Sequence, residues 1–298
     1  MPHALMPQRR KRLLIVGCGD VGMRVLALLG ARWRTFALTS SAQRLALLRA
    51  AGAVPLSGDL DDPSSLGRLG ALAEQVLHLA PPPASGSTDP RTRHLVQALA
   101  RGGVVRRLVY ASTSGVYGDC AGERFDETRR VNPQTDRARR RVDAERVLRW
   151  YGRRSGVAVS VLRVPGIYAA DRPGGHPRER LLRGTPVLDP GDDVYTNHIH
   201  ADDLARACVA ALMRGLPQRV VHACDDTEMR MGDYFDLAAD LCSLPRPPRV
   251  SRDAARSLLT PQQLSFMAES RRLDNTRLER ELRLRLRWPS VREGLCAT

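Results

Sequence analysis

The sequence predicts an α/β fold: a doubly wound parallel sheet with a smaller C-terminal lobe. Three observations lead there. Short apolar runs alternate with helix-spaced stretches from residue 12 to residue 164, a glycine-rich turn follows the first run, and beyond about residue 170 the alternation loosens.

The elements follow in order. "RLLIVG" (12–17) is a buried-strand run, and "DVGMRVLALLGAR" (20–32) has helical spacing. "TFALTS" (35–40) is a strand, and "AQRLALLRAAG" (42–52) a helix stopped by Gly52. "AVPLSGD" (53–59) and "EQVLHLA" (74–80) are strands with a short helix near 63–73 between them. "DPRTRHLVQALARGG" (89–103) is a helix, "RRLVYAST" (106–113) a strand, and "VAVSVLRV" (157–164) a sixth strand. Between these last two lies a helix that opens after Asn132-Pro133, with Thr135 or Asp136 as its cap. Later come helices at 201–215 and near 231–243, a Pro-rich link "LPRPP" (244–248) and a charged helical tail. The expected domains are 1–168, which binds a nucleotide, and 169–298, a mixed lobe from which 197–215 returns to the first core.

Charge excludes less than it suggests. The 298 residues carry a net charge of +15, and the only lysine is Lys11. The arginines are spread over nearly every segment, and aromatics make up 4% of the chain, so few stacking platforms accompany them. Solvated arginine faces with general polyanion attraction are expected, not a specific nucleic-acid site. Six scattered cysteines (18, 120, 208, 224, 242, 296) form no Cys-x-x-Cys pair, which points to reduced thiols and no zinc. The start "MPHALMPQRRKRLLIVG" has too short an apolar run for a signal peptide, and no stretch approaches 18 apolar residues. A cytoplasmic protein without membrane contact is expected, as a monomer or homodimer.

"IVGCGDVG" carries the first chemistry. Gly17-x-Gly19-x-x-Gly22, after the first strand and opening a helix, is a dinucleotide fingerprint of the Rossmann type. Its glycines allow the tight turn and the approach of backbone to a pyrophosphate, which the helix N-terminus stabilises. The second strand then ends in "ALTSSAQR", with no acid to bond a ribose 2′-hydroxyl. Thr39, Ser40 and Ser41 can donate to a 2′-phosphate. Arg44 either neutralises that phosphate or is a solvated helix residue. NADP is therefore the expected cofactor, with NAD the alternative. Asp59 is placed to bond an adenine amine, or is a loop aspartate.

"LVYASTSGVYGD" (108–119), taken with the glycine motif, "VLHLAPPP" (76–83), "LRVPGIY" (162–168) and "NHIHADDLA" (197–205), resembles the extended short-chain dehydrogenase/reductase family, the epimerase/dehydratase branch. The tail "ESRRLDNTRLERELRLRLRWPSVREGL" is similar to the tails of atypical members. The resemblance implies cofactor contacts from Gly17, Cys18, Gly19, Asp20, Val21 and Gly22, from Thr39, Ser40, Ser41 and Arg44, from Asp59 and Leu60, and from Leu79, Ala80, Pro81, Arg141 and Pro165. It also implies a catalytic Ser/Thr with a Tyr-x-x-x-Lys dyad, in which the lysine lowers the tyrosine's pKa and holds the nicotinamide ribose. The matching hydroxyl is Thr113. Aligned from Pro133, Arg137 stands in the tyrosine's seat and Arg141 in the lysine's. An i, i+4 pair shares one helix face, so both would face the cofactor, leaving Arg139 and Arg140 solvated.

This substitution matters, because arginine stays protonated and cannot shuttle a proton at neutral pH. Tyr117 is the nearest replacement donor in sequence; Cys120, His200 and water are the others. Dehydratases of the branch carry Asp-Glu after the threonine where this chain has Ser114-Gly115, so sugar 4,6-dehydration is not expected. The epimerases' asparagine after the sixth strand is Gly166 here, which puts ordinary UDP-sugar binding in doubt. Arg137, Arg163 and Arg272, read as facing the site, suggest an anionic small-molecule substrate. His198 and His200 fit no common metal spacing; the resemblance makes their segment a strand-to-helix turn with Asp202 capping, and "HACDD" (222–226) reads as a strand end and turn. Three functions compete: an NAD(P)-dependent oxidoreductase or epimerase-like enzyme with a rebuilt proton relay, a non-catalytic cofactor sensor, and a nucleic-acid binder.

Overall fold

The computed structural model describes residues 10–296, so the question of a leader segment at residues 1–9 lies outside the described residues. Its centre is a parallel sheet of seven strands: β1 (Lys11–Val16), β2 (Trp33–Thr39), β3 (Val54–Ser57), β4 (Gln75–His78), β5 (Arg107–Thr113), β6 (Ala158–Val164) and β7 (Arg219–His222). Their spatial order is β7-β6-β5-β4-β1-β2-β3, which reverses between β1 and β4. That reversal opens a crevice at the carboxyl ends of the strands.

The strands are apolar runs because both faces of the sheet are covered. In β1, Leu13 and Ile15 face one layer, formed with α1 (Asp20–Leu29) and α5 (Ala201–Arg214). Leu14 and Val16 face the other, formed with α3 (Pro90–Gly102) and α4 (Asp136–Ser155). The helix α2 (Arg44–Ala50) joins β2 to β3. A third core gathers Tyr168, Leu181 and Val187 with Tyr234, Phe235 and Ala238 of α6 (Met231–Leu241). Two-residue ladders tie the late segments back: Tyr195–Thr196 to Met229–Arg230, and Arg272–Leu273 to Arg124–Phe125.

Three expectations are corrected. Residues 63–73 form two 3-10 turns, Pro63–Leu66 and Leu69–Ala71, instead of a helix. Gly70 there meets α3 so closely that a β-carbon on it would lie 2.5 Å from the Ala98 carbonyl oxygen. The charged tail is helical only in four short pieces, Arg252–Leu258, Pro261–Phe266, Thr276–Arg280 and Val291–Cys296, and its Leu278, Leu282 and Leu284 join the core beside α5. The cap of α5 is His200, whose Nδ1 accepts from the Asp202 amide at 3.2 Å, while the Asp202 carboxylate pairs with Arg24. Thr135 caps α4, accepting from the Ala138 amide at 3.2 Å. Among the described residues no helix is long and apolar enough to cross a membrane.

Candidate active site

The glycine loop is shaped by two different needs. Gly17 has φ +83°, and a β-carbon on it would lie 2.4 Å from the Ala80 amide nitrogen, so neither the backbone nor the space admits a side chain. Gly19, the residue before α1, meets nothing within 4 Å: its face is open. No side chain caps α1, so its first amides point unsatisfied into that space, the arrangement that receives a phosphate. A cavity of about 390 Å³ opens there, lined by Gly17, Cys18, Gly19, Thr39, Ser40, Arg44, Asp59, Leu60, Leu79, Ala80 and Pro81. Arg44 reaches across from α2, donating from Nη2 to the Cys18 carbonyl at 2.7 Å. It has no carboxylate partner among the described residues' bonds and ion pairs. Burial pushes the Cys18 thiol up to about 11, so it stays protonated.

Four sequence-assigned cofactor residues have side chains engaged outside the loop cavity or sit within α1, although the amides of Asp20, Val21 and Gly22 are the first of that helix. Asp20 pairs with Arg24 and, at 2.6 Å, with Arg172. Val21 and Gly22 are inside α1, Gly22 giving room to Cys18, whose Sγ would lie 3.0 Å from an added β-carbon. The Ser41 hydroxyl turns to Gln43 at 3.3 Å. None of these four lines the loop cavity.

Pro81 also lines a second, larger cavity of about 760 Å³, between the sheet's carboxyl edge and the late segments. Thr113, Arg137, Arg141 and Pro165 all line it. Arg141 donates from Nη1 to the Ala111 carbonyl at 2.9 Å and the Tyr110 hydroxyl at 3.0 Å, which fixes its guanidinium over the end of β5. Arg137, one turn earlier, lies 4.6 Å over the Phe266 ring. Burial lowers its pKa, Glu269 opposes this, and Arg141, Arg271 and Arg140 reinforce it; the guanidinium stays charged at neutral pH.

Tyr117 does not reach this cavity. It is 1% exposed, and its hydroxyl is held between His222 Nε2 at 2.6 Å and Arg163 Nη1 at 2.7 Å. Burial pushes it up to about 12. The alternative donors Cys120 and His200 also lie outside the lining. Arg163 is spent on a buried pair with Glu145 at 2.7 Å, and Glu145 also accepts from Ser112 at 2.6 Å. Arg272 bonds the Gly122 carbonyl at 2.8 Å and does not line the cavity. The solvated reading holds for Arg139, exposed and paired with Asp136 at 2.7 Å. Arg140 is different: it is 7% exposed, its Nη1 bonds the Gly86 carbonyl, its Nε has no partner, and it lines the cavity.

The cavity's remaining charge comes from residues that sequence spacing could not reveal. Seven arginines line it (137, 140, 141, 172, 180, 183, 271) against two glutamates, 179 and 269. Arg180 lies 4.1 Å over Phe235, with burial pulling its pKa down to about 10. His198 stacks on Tyr234 at 4.2 Å, and burial lowers it to about 3, so its ring is neutral. Among the described residues no group of three or more His, Cys, Asp or Glu is arranged to hold a metal.

Fold and loop together define a Rossmann-type α/β protein with a dinucleotide-type glycine turn. The model of the NAD dependent epimerase/dehydratase family matches residues 13–224, more than half of the chain, and the chain belongs to that family. A solved structure of a functionally unknown conserved protein from Silicibacter pomeroyi DSS is 32% identical, with 96% of each chain covered and a TM-score of 0.80. DesIV, a dTDP-glucose 4,6-dehydratase from Streptomyces venezuelae solved with NAD bound, is 22% identical over 96% of this chain and 94% of that one, with a TM-score of 0.77; that likeness shows the fold. The uncharacterized protein y4nG of Sinorhizobium fredii is 31% identical over 111 residues, which span 36% of this chain and only 28% of that protein.

Proposed function

We propose that the chain is an NAD(P)-dependent oxidoreductase or epimerase-like enzyme acting on an anionic small molecule. The observation that carries this reading is the excess of seven arginines over two glutamates around a cavity that shares Pro81 with the glycine-loop cavity. Guanidinium forks in a half-enclosed site suit carboxylates and phosphates.

The residues present fit a dinucleotide: the open face of Gly19 and the uncapped start of α1 would receive its pyrophosphate. Bound there, such a cofactor supplies a hydride acceptor or donor. Arg141, anchored on Ala111, offers its remaining N–H groups to the nicotinamide ribose. The Thr113 hydroxyl would bond a substrate oxygen and Arg137 would hold a substrate anion, both from the lining of this cavity. At the adenosine end, Arg44 without a carboxylate partner and an acid-free β2 terminus favour the 2′-phosphate of NADP. NAD is the second reading, favoured by the family's description and by DesIV, which carries NAD.

Parallel calorimetric titrations with NADPH and NADH test this. NADPH binding at least about tenfold tighter, a difference of about 1.4 kcal/mol that Arg44→Ala removes, is the result expected. Tighter NADH binding would move the proposal to NAD, and binding of neither would end it. Turnover of 2-oxo acids or sugar phosphates, but not of their uncharged analogues, checks the substrate class.

A further inference from the structure

The helix that should carry the proton donor carries Arg137 instead, and Tyr117 is locked in the interior. The cavity floor beside Thr113 is Ser114-Gly115, which supplies no carboxylate of its own. An ideal β-carbon built on Gly115 would lie 3.6 Å from Thr113 Oγ1 and 3.9 Å from Glu269 Oε2. Hydroxyl and carboxylate thus face one small space that no side chain of residue 115 fills. That same Glu269 Oε2 accepts from Arg271 Nη1 at 2.6 Å, and Arg271 is in turn tied to the Gly118 carbonyl at 3.0 Å. The Glu269 side chain is 9% exposed, and its charge acts on Arg137. The neighbouring Ser270 amide bonds Asp119 at 2.8 Å, and the Ser270 carbonyl accepts from the Cys120 and Gly122 amides, both at 3.0 Å. The segment that delivers this carboxylate is therefore anchored on the loop following Gly115.

We infer that Glu269 is the acid–base residue of this site, with its carboxylate reaching the space over Gly115 opposite the Thr113 hydroxyl. The inference rests on the proposed dinucleotide-dependent chemistry. In the oxidative direction the substrate's carbinol C–H bond breaks and its electron pair leaves as hydride to the oxidised nicotinamide dinucleotide. The O–H bond breaks, its proton passes to the Glu269 carboxylate, and a carbonyl forms. In reduction each transfer reverses, and the Glu269 carboxyl protonates the nascent alkoxide. Thr113 orients the oxygen, Arg271 holds the carboxylate in place, and Arg137 holds the substrate anion.

The first test reads proton linkage without turnover. Oxalate, an anion that fits beside Arg137, is titrated calorimetrically into the full chain in two buffers of different ionisation enthalpy. A second anion next to a carboxylate favours the protonated carboxyl, so net proton uptake is expected in the native protein and absent from Glu269→Gln. Oxalate binding with the same proton uptake in both proteins would overturn the role of Glu269 and leave the anionic-substrate reading intact. No oxalate binding would overturn both. The second test is reduction of a panel of 2-oxo acids and sugar phosphates with NADPH or NADH. Glu269→Gln should lower kcat at least about hundredfold with KM little changed and remove the limb on which the rate of reduction falls as pH rises. Adding Gly115→Glu to that variant should restore much of the rate, since a β-carbon at 115 meets only ordinary contacts and starts 3.6 Å from Thr113 Oγ1. Unchanged kcat in Glu269→Gln, or a native protein that binds cofactor but turns over nothing, would overturn the proposal.

Discussion

The smaller cavity is lined from a few stretches of the first third of the chain: the loop after β1, the end of β2 with Arg44, the turn after β3 and the end of β4. The larger one draws on segments as far apart as Pro81, Arg137, Arg180, Tyr195 and Arg271. The first is a backbone site, built by a positive φ, a close approach and unsatisfied amides. The second is a side-chain site, built by arginines whose positions depend on what they pack against. A backbone site depends on local glycines, whereas a side-chain site can be rebuilt from new residues on the same frame.

Three perturbations can break or sharpen this contrast, in order of decreasing effect. Arg163→Met strikes the support beneath the larger cavity, leaving Glu145 buried without its cation and Tyr117 without one of its two partners. Breaking such a pair costs about 3–5 kcal/mol, to be read as a lower urea midpoint. An unchanged midpoint would mean that the frame under the side-chain site is dispensable.

Gly17→Ala strikes the backbone site, where the added carbon meets the Ala80 backbone at a strained φ. Dinucleotide affinity should fall at least about hundredfold, roughly 2.7 kcal/mol, while oxalate still binds the larger cavity. Loss of both together would show that the two cavities form one cooperative unit.

The smallest effect is that of pH. Burial lowers His78 and His198 to about 3 and His222 to about 4. Their folded pKa values lie below the unfolded value near 6.5, so the stability that goes with neutral burial is present above that pH. It is lost as pH falls toward the folded values. Asp225 and Glu127, whose carboxyls burial pushes up, act oppositely, since the cost of burying them shrinks as pH falls. Between pH 7.5 and 5.5 the urea midpoint should fall, with stability changing by about 1 kcal/mol per pH unit. His198 lines the larger cavity and not the glycine-loop cavity; His198→Gln removes one of the buried neutral rings and should flatten the slope while dinucleotide affinity changes little.

Much of this was legible from residues close in sequence. The alternation of apolar runs placed six of the seven strands, and a seventh, Arg219–His222, ends at the histidine where a strand end was read. The glycine motif pointed to Gly17 and Gly19, and the end of the second strand to Thr39 and, as one of two readings, Arg44; all four line one cavity. Arg137 and Arg141, one turn apart on α4, came out on one face by helical geometry. Local rules of φ, helix period and strand period act over a few residues, so a linear reading captures them.

Only the tertiary structure decided which charges face the cavity. Arg163 and Arg272 were expected there and are occupied elsewhere, while Arg140 was expected in solvent and is buried in the lining. Tyr117 stands four residues from Thr113, yet a 3-10 turn (Ser114–Tyr117) carries its ring inward, against His222 of β7. Glu269 comes from the far end of the chain and reaches Gly115 because Arg272–Leu273 pairs with Arg124–Phe125. The direction and partner of a long charged side chain are set by the segments folded against it, and those contacts leave no periodic trace in the sequence.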